Sequence, residues 1–404
     1  MRNAFLVRTM ATELHMNDFG KFYYSARAFL DGRDMYAPSP ATELPRLKGL
    51  QFLNMNPPHF HLLVLPLALL SPGPAVELWM IASLMALILS ILLIAREVNF
   101  AWSARRLLCV TFGALAFAAS ETFFATGQLS LLLMLAMTFC WLSARRGRWI
   151  QTGAWLGGCL SVKPFLLIFL PYLLATRRFR AAAMACAVAA SCLAIGLLIF
   201  GTGPYLSWYR ALSRASDWAG ATMNGSILGF FRRIFDNTPY FTPIVVVPQL
   251  VRLWVLAAAV VGILTLAIAI TDVTERSTDR AFALLLVASL LISPLGWVYY
   301  LWLPAGPAAA LALARRGSRP MSVWNRGVVV LAVAGLLWPI ELTLNFQPSG
   351  WATATLGSAY FWGTLALWCW LVSECRALDA LKAMLSRVVK RSYTEDTTVL
   401  ANQM

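Results

Sequence analysis

Apolar residues fall in long blocks separated by short polar punctuation, and few stretches show the alternation of a half-buried strand. Met80 to Ala95, Ala181 to Phe200 and Leu250 to Ile270 approach the roughly 20 residues that carry a helix across a hydrocarbon layer. Other blocks are shorter. Phe60 to Leu70 is cut from the run ending at Ala95 by Ser71-Pro72-Gly73-Pro74, and the two together read as one broken crossing. Trp149 to Val162 and Phe165 to Ala175 meet at Lys163-Pro164, an interruption of the kind that lines a cavity. The pattern predicts an all-α polytopic membrane protein with about ten to twelve crossings. One early stretch differs: Phe19, Phe22, Tyr23, Ala26 and Leu30 recur at helical spacing beside Lys21, Arg27 and Asp31, predicting an amphipathic helix lying along the membrane surface.

Composition sharpens this reading. The 404 residues are 59% hydrophobic and 13% charged, which excludes an ordinary soluble domain. The net charge of +15 would point to nucleic acid in a soluble protein, but here the arginines sit at the ends of apolar blocks. Arg105-Arg106, Arg145-Arg146-Gly147-Arg148, Arg177-Arg178-Phe179-Arg180, Arg315-Arg316 and the tail from Arg376 to Arg391 follow the positive-inside pattern. They assign those ends to the cytoplasm of a bacterial-type plasma membrane, and they predict membrane lipids rather than nucleic acid as partners. The opposite ends are then extracytoplasmic: residues 17–58 as a first outer loop, Ser120 to Gln128 as an outer turn, residues 201–248 as a large outer loop, and the turn near Ser293 to Trp297. Residues 1–390 form a single membrane domain in this reading, and 391–404 a disordered cytoplasmic tail. The seven cysteines and three histidines lack metal-ligand spacing, so neither disulfide, zinc nor another metal is expected.

Without a Rossmann or P-loop glycine pattern, nothing points to a bound nucleotide or any other cofactor, and an activated substrate would arrive in the membrane. Asp18, at the start of the surface helix, can act as a general base or simply cap the helix. Asp31 and Asp34 read as members of a polar turn in which Gly32 ends the helix. Lys163 can bind a lipid phosphate or snorkel to the headgroups. Glu121 and Gln128 can hydrogen-bond a sugar or cap helices. Arg210, with Tyr205, Trp208, Tyr209 and Arg214, suits sugar stacking and phosphate pairing, or else an aromatic interface belt.

In order along the chain, Asp18-Phe19, Tyr23-Tyr24, Ala26-Arg27, Gly32, Tyr36, Pro57-Pro58, Pro66-Leu67-Ala68-Leu69-Leu70, Gly127-Gln128-Leu129-Ser130, Gly153, Gly157, Lys163-Pro164, Asn224-Gly225-Ser226 and Ser293-Pro294-Leu295-Gly296-Trp297 resemble the family 87 glycosyltransferases. The resemblance covers most of the chain. It implies a GT-C type helical bundle and a hexosyltransferase, mannosyltransferase-like, that takes its sugar from a polyprenyl-phosphate donor and passes it to a lipid or glycan acceptor. It also implies that Asp18 is the base of an inverting displacement. Substrate-binding roles are expected for Lys163, Gln128, Asn224, Trp297, Tyr299 and Arg210.

The chain departs from the family pattern in two places. Met1 to Asn17 cannot span a membrane where relatives carry an apolar helix, which points to a misassigned start or a truncated chain. Tyr299 stands where many relatives have His two residues after the tryptophan, and a phenol lacks imidazole's proton chemistry near neutral pH. A polytopic transporter or flippase, a glycan polymerase or ligase, and an inactive truncated relative are the alternative readings.

Overall fold

A computed structural model describes residues 17–42, 53–238, 242–272, 274, 276–314, 321–340, 342 and 349–373. The expected cytoplasmic tail, Glu43, His15 and the arginines at 315, 316 and 376–391 lie outside the described residues. The fold is all-α and belongs to a polytopic membrane protein. Among the described residues there is no β-strand, and the extended pairing amounts to two isolated bridges, Asn224 with Trp297 and Thr242 with Ser349.

The principal helices are α1 (Asn17–Leu30), α2 (Pro72–Glu97), α3 (Ala104–Ala116), α4 (Ala118–Thr126), α5 (Ser130–Arg145), α6 (Trp149–Val162), α7 (Phe169–Ala175), α8 (Phe179–Phe200), α9 (Gly203–Ser213), α10 (Ile227–Phe235), α11 (Leu253–Thr271), α12 (Ser277–Ile292), α13 (Ala305–Ala314), α14 (Val323–Leu336) and α15 (Ala359–Ser373). Short 3-10 segments, among them Pro58–Leu63, Pro164–Ile168 and Val298–Trp302, join them. Among the described residues three helical segments are long and apolar enough to cross a membrane alone: α2, α8 and Pro248–Thr271, which ends in α11. A fourth crossing arises if α3 and α4, bent by 55° at Phe117, form one broken span, and shorter apolar helices such as α5, α13 and α14 pack among them.

Two details differ from the sequence expectation. The break expected at Ser71-Pro72-Gly73-Pro74 is present, but it falls ahead of α2 rather than within one crossing: Pro72 and Pro74 occupy the first turn of α2, where a missing N–H costs nothing, and α2 is long enough to cross alone. Phe60 to Leu70 forms separate short turns ahead of it. Second, Ser120 to Thr126 is not an outer turn but most of α4: nothing in Ala118–Thr126 breaks a helix, and Gly127, at φ 66°, ends it. Glu121 is therefore buried, and its Oε2 accepts a hydrogen bond from the Ile340 N–H at 3.0 Å.

At the centre stands α12, buried from Asp279 to Leu291. The outer helices turn apolar side chains outward, as lipid requires: Leu198 is 86% exposed and Ile263 66%. On the arginine-rich side, Glu97 pairs with Arg145 and Arg146 at 3.3 and 2.6 Å. There Arg145 also meets Asp279 at 3.2 Å, and the Trp141 Nε1–H donates to the same carboxylate at 2.9 Å. These contacts tie the ends of α2, α5 and α12 together.

Candidate active site

The amphipathic stretch folds as α1, and its apolar stripe explains its position. Phe19, Phe22, Tyr23 and Ala26 are buried. Phe22 meets Phe60 edge-on at 4.9 Å between centroids, and Phe19 meets Trp79 of α2 at 5.3 Å. The Tyr23 hydroxyl donates to the Leu70 carbonyl at 2.8 Å and Arg27 to the Ala68 carbonyl at 3.3 Å, fixing the helix against the turn that leads into α2. As expected, the helix ends at Gly32, in the left-handed region at φ 69°. Asp31 pairs with Arg27 and Arg33 at 3.3 and 2.7 Å, and Asp34 accepts from the Tyr36 N–H at 3.0 Å. These two acids hold a turn.

Asp18 lies in the first turn of α1 rather than ahead of it, and Lys21, one turn on and therefore on the same face, brings its Nζ to 2.6 Å from Oδ1. Both side chains keep slight exposure, 13% and 11%. Lys163, Tyr299 and Tyr300, distant in the sequence, lie within electrostatic reach of Asp18.

Lys163 stands at the break predicted from the sequence. Pro164 cannot donate to the helix and disfavours helical geometry before it, so Lys163 takes φ −132°, ψ 86° and leaves the axis of α6. Its Nζ donates to Asn56 Oδ1 at 2.8 Å and lies 5.4 Å from the centre of the Tyr300 ring. Asn56 is buried and held by Asn54, whose Oδ1 accepts from both the backbone N–H and the side-chain amide of Asn56, at 3.1 and 3.2 Å. Asn54 Nδ2 in turn donates to Ser25 Oγ at 2.8 Å and faces His61 Nε2 at 2.7 Å. The other ring nitrogen of His61 faces the Pro58 carbonyl at 3.2 Å, which fixes the tautomer with the proton on Nδ1.

Tyr299 and Tyr300 arrive on the 3-10 turn Val298–Trp302, both buried. Trp297 stacks on Tyr299 at 6.1 Å with the rings 23° apart. Gln128, buried beyond Gly127, lies beside the Tyr299 side chain, and its Oε1 accepts from the Leu129 N–H at 3.0 Å. Asn224 positions that turn from behind. Its Nδ2 donates to the Ala219 and Pro294 carbonyls at 2.8 and 2.9 Å, and its Oδ1 accepts from the N–H groups of Ser226 and Gly296 at 3.1 and 2.8 Å. Fully buried Arg233 supports the same loop by donating to the carbonyls of Ala221 and Asn224, both at 2.9 Å.

Of the residues singled out in the sequence, Asp18, Lys163, Gln128, Trp297 and Tyr299 thus converge, while Asn224 turns its amide wholly toward backbone. Arg210 is exposed on α9, and among the described residues no hydrogen bond or ion pair joins it to the Asp18 group. Its aromatic neighbours anchor α9: the Trp208 Nε1–H donates to the Met55 carbonyl at 3.0 Å, and the Tyr205 hydroxyl meets His59 Nδ1 at 3.0 Å. Sequence reasoning missed Lys21, Asn54, Asn56 and Tyr300. The available signal was a polar Asn54-Met55-Asn56 segment directly before Pro57-Pro58 and an apolar block.

Chemically, the group offers one carboxylate, two ammonium groups, phenol hydroxyls and aromatic faces. Among the described residues no cluster of His, Cys, Asp or Glu could hold a metal ion. A carboxylate so placed can accept a proton from a hydroxyl, and the lysines can hold a phosphate.

A sequence model of glycosyltransferase family 87 matches residues 54–294, a range that contains Asn56, Gln128, Lys163 and Asn224 and stops short of Asp18, Trp297 and Tyr299. Two curated proteins of Mycobacterium tuberculosis are similar. A polyprenol-phosphate-mannose-dependent alpha-(1-2)-phosphatidylinositol pentamannoside mannosyltransferase of strain CDC 1551 / Oshkosh is 29% identical over 271 residues, 63% of this chain and 57% of that protein. A polyprenol-phosphate-mannose-dependent alpha-(1-2)-phosphatidylinositol mannoside mannosyltransferase of strain ATCC 25618 / H37Rv is 26% identical over 379 residues, 87% of this chain and 83% of that protein. The chain therefore spans little more than half the length of the first relative and most of the second. No solved structure matches the chain significantly.

Proposed function

Because the chain belongs to glycosyltransferase family 87, we propose that it transfers a mannose-like hexose from a polyprenyl-phosphate donor to a hydroxyl of a lipid or glycan acceptor. Both relatives carry polyprenol-phosphate-mannose dependence and a phosphatidylinositol mannoside acceptor in their names, which supports this donor and a lipid acceptor. The observation that carries the reading is the convergence of Asp18, Lys21 and Lys163 beside Tyr299 and Tyr300.

In this mechanism a carboxylate oxygen of Asp18 takes the proton of the acceptor hydroxyl as that oxygen bonds to the anomeric carbon. The bond from that carbon to the phosphate oxygen breaks with its electron pair, and polyprenyl phosphate departs. One displacement inverts the anomeric configuration. A phosphate is already a good leaving group, so no acid partner is needed, in contrast to the paired carboxylates of glycoside hydrolysis. Lys163 and Lys21 hold the phosphate as charge builds on it, and the Trp297 and Tyr299 rings offer stacking surfaces to the sugar.

The site lies at the Ser130 end of α5 and the Lys163 end of α6, whereas the arginine clusters lie at the opposite ends of both helices. By the positive-inside rule this arrangement supports transfer on the extracytoplasmic face. Membranes carrying wild type or Asp18→Asn at matched levels, supplied with radiolabelled polyprenyl-phosphate sugar, test the reading. Transfer by wild type with at least a 100-fold loss in the variant supports it, and equal transfer by both removes Asp18 from the mechanism.

A further inference from the structure

At the other end of α5 and α6 the turns Gly147 to Gln151 and Arg177 to Ala181 line an open cavity of about 650 Å³. Four of its lining side chains are arginines, Arg148, Arg177, Arg178 and Arg180, and none is acidic. Among the described residues no carboxylate pairs with any of the four. That lack contrasts with Arg145 and Arg146, next along the chain, both neutralised by Glu97.

The two turns are built alike. Gly147 and Arg177 both adopt left-handed backbone, at φ 68° and 57°. Each is followed by an arginine that precedes a helix, Arg148 at φ −84°, ψ 64° before α6 and Arg178 at φ −88°, ψ 49° before α8. An aromatic residue then opens each helix, Trp149 and Phe179. The helices run side by side because Gly153 and Gly157 face Ala181 and Ala185 so closely that a Cβ on either glycine would overlap a carbonyl oxygen. Neither helix start has a side-chain cap or an acid in its first turn, so their positive ends add to the arginines. The Arg178 guanidinium carbon lies over the Trp149 ring, 4.3 Å from its centre, which orders it, while Phe179 and Ile150 stay 59% and 49% exposed at the rim.

We propose that this cavity binds the phosphate headgroup of an anionic membrane lipid, with Arg148 and Arg178 as the principal contacts and Ile150 and Phe179 against the acyl chains. Guanidinium groups lining one cavity, with no carboxylate partner among the described residues, match phosphate oxygens, and an apolar rim matches a lipid rather than a free ion. The 16 residues of α5 rise about 24 Å between this cavity and the Asp18 group, so the two sites are separate.

The test uses purified full-length protein in detergent and short-chain phosphatidylglycerol as probe, against phosphatidylcholine of the same chain length and against inorganic phosphate. Native mass spectra of wild type should retain phosphatidylglycerol. Arg148→Gln/Arg178→Gln should retain at least tenfold less, and the control pair Arg105→Gln/Arg106→Gln on the same membrane face should behave as wild type. Equal loss in both pairs, or no loss in either, overturns the proposal. Labelling of unaltered protein by an arginine-selective dicarbonyl provides a readout independent of variant folding. Phosphatidylglycerol should slow modification at Arg148 and Arg178 and not at Arg105. Equal protection by phosphatidylcholine, or by inorganic phosphate at the same concentration, would exclude an anionic lipid headgroup as the specific ligand.

Discussion

The Nζ of Lys163 and the Oδ1 of Asn56 are 2.8 Å apart although 107 positions separate the residues. The contact joins the interrupted end of α6 to the segment before Pro57, and through Asn54 and Ser25 it reaches α1, which carries Asp18. In the proposed mechanism this contact aims the Lys163 amine at the phosphate through an uncharged partner.

Lys163→Met should lower turnover by roughly 10² to 10³, the cost of losing one preorganised charge stabiliser. Asn56→Ala should cost no more than about tenfold, since it removes only the aim of that charge. Single-turnover transfer with both variants at matched expression checks the ranking, and a larger loss in the asparagine variant would reverse the assignment.

Tyr299→Phe removes a buried hydroxyl beside Gln128 and should cost about 1 kcal/mol, or about fivefold in transfer. Tyr299→His should leave a protein active over a narrower range, with a new limb in the pH–rate profile near about pH 6.5. The pH dependence of initial rates for both variants distinguishes a positioning hydroxyl from a proton carrier.

Asn224→Ala should act on stability. It strands the Ala219 carbonyl and the N–H groups of Ser226 and Gly296, and leaves the Pro294 carbonyl with the Ser226 hydroxyl alone, at roughly 2–5 kcal/mol in total. The variant should melt well below wild type in detergent, and the fraction that remains folded should bind substrate more weakly because the Trp297 turn is no longer held.

His61, in the turn before the first long apolar helix, is fully buried, and burial pushes its pKa down from 6.5 to about 4. Protonation would also set an Nε2 proton against the Asn54 amide. Above the unfolded value both states are neutral and nothing is lost. As pH falls from 6.5 towards 4, the unfolded chain takes a proton that the native protein refuses, and stability drops by up to about 1.4 kcal/mol per unit. Melting curves from pH 7 to 5 should show that slope in wild type and a shallower one in His61→Gln.

Much of this was legible in the sequence. Block lengths gave the helices, Pro164 gave the interruption at Lys163, Gly32 gave the end of α1, and the spacing of Phe19, Phe22 and Ala26 gave its buried stripe. What sequence periodicity could not give was proximity across more than a hundred residues. Asn56 reads as one more loop amide until Lys163 is placed beside it, and Asn224 reads as a sugar ligand until its four backbone partners are seen. Pro72 marked the break correctly, and the break lies ahead of α2 because proline starts a helix comfortably at its first turn.

The central position of α12 means that two sets of rules govern substitutions in one membrane protein. Leu285 on that helix is 0% exposed, and Leu198 on α8 is 86% exposed. Around Leu198 any apolar side chain satisfies the lipid, so size is free and polarity is forbidden. Around Leu285 every wall is another side chain, so volume and shape are restricted as in the interior of a water-soluble protein, and removing a few methylenes leaves a void that lipid cannot enter. Hydrophobicity alone cannot distinguish these two leucines; only their neighbours do.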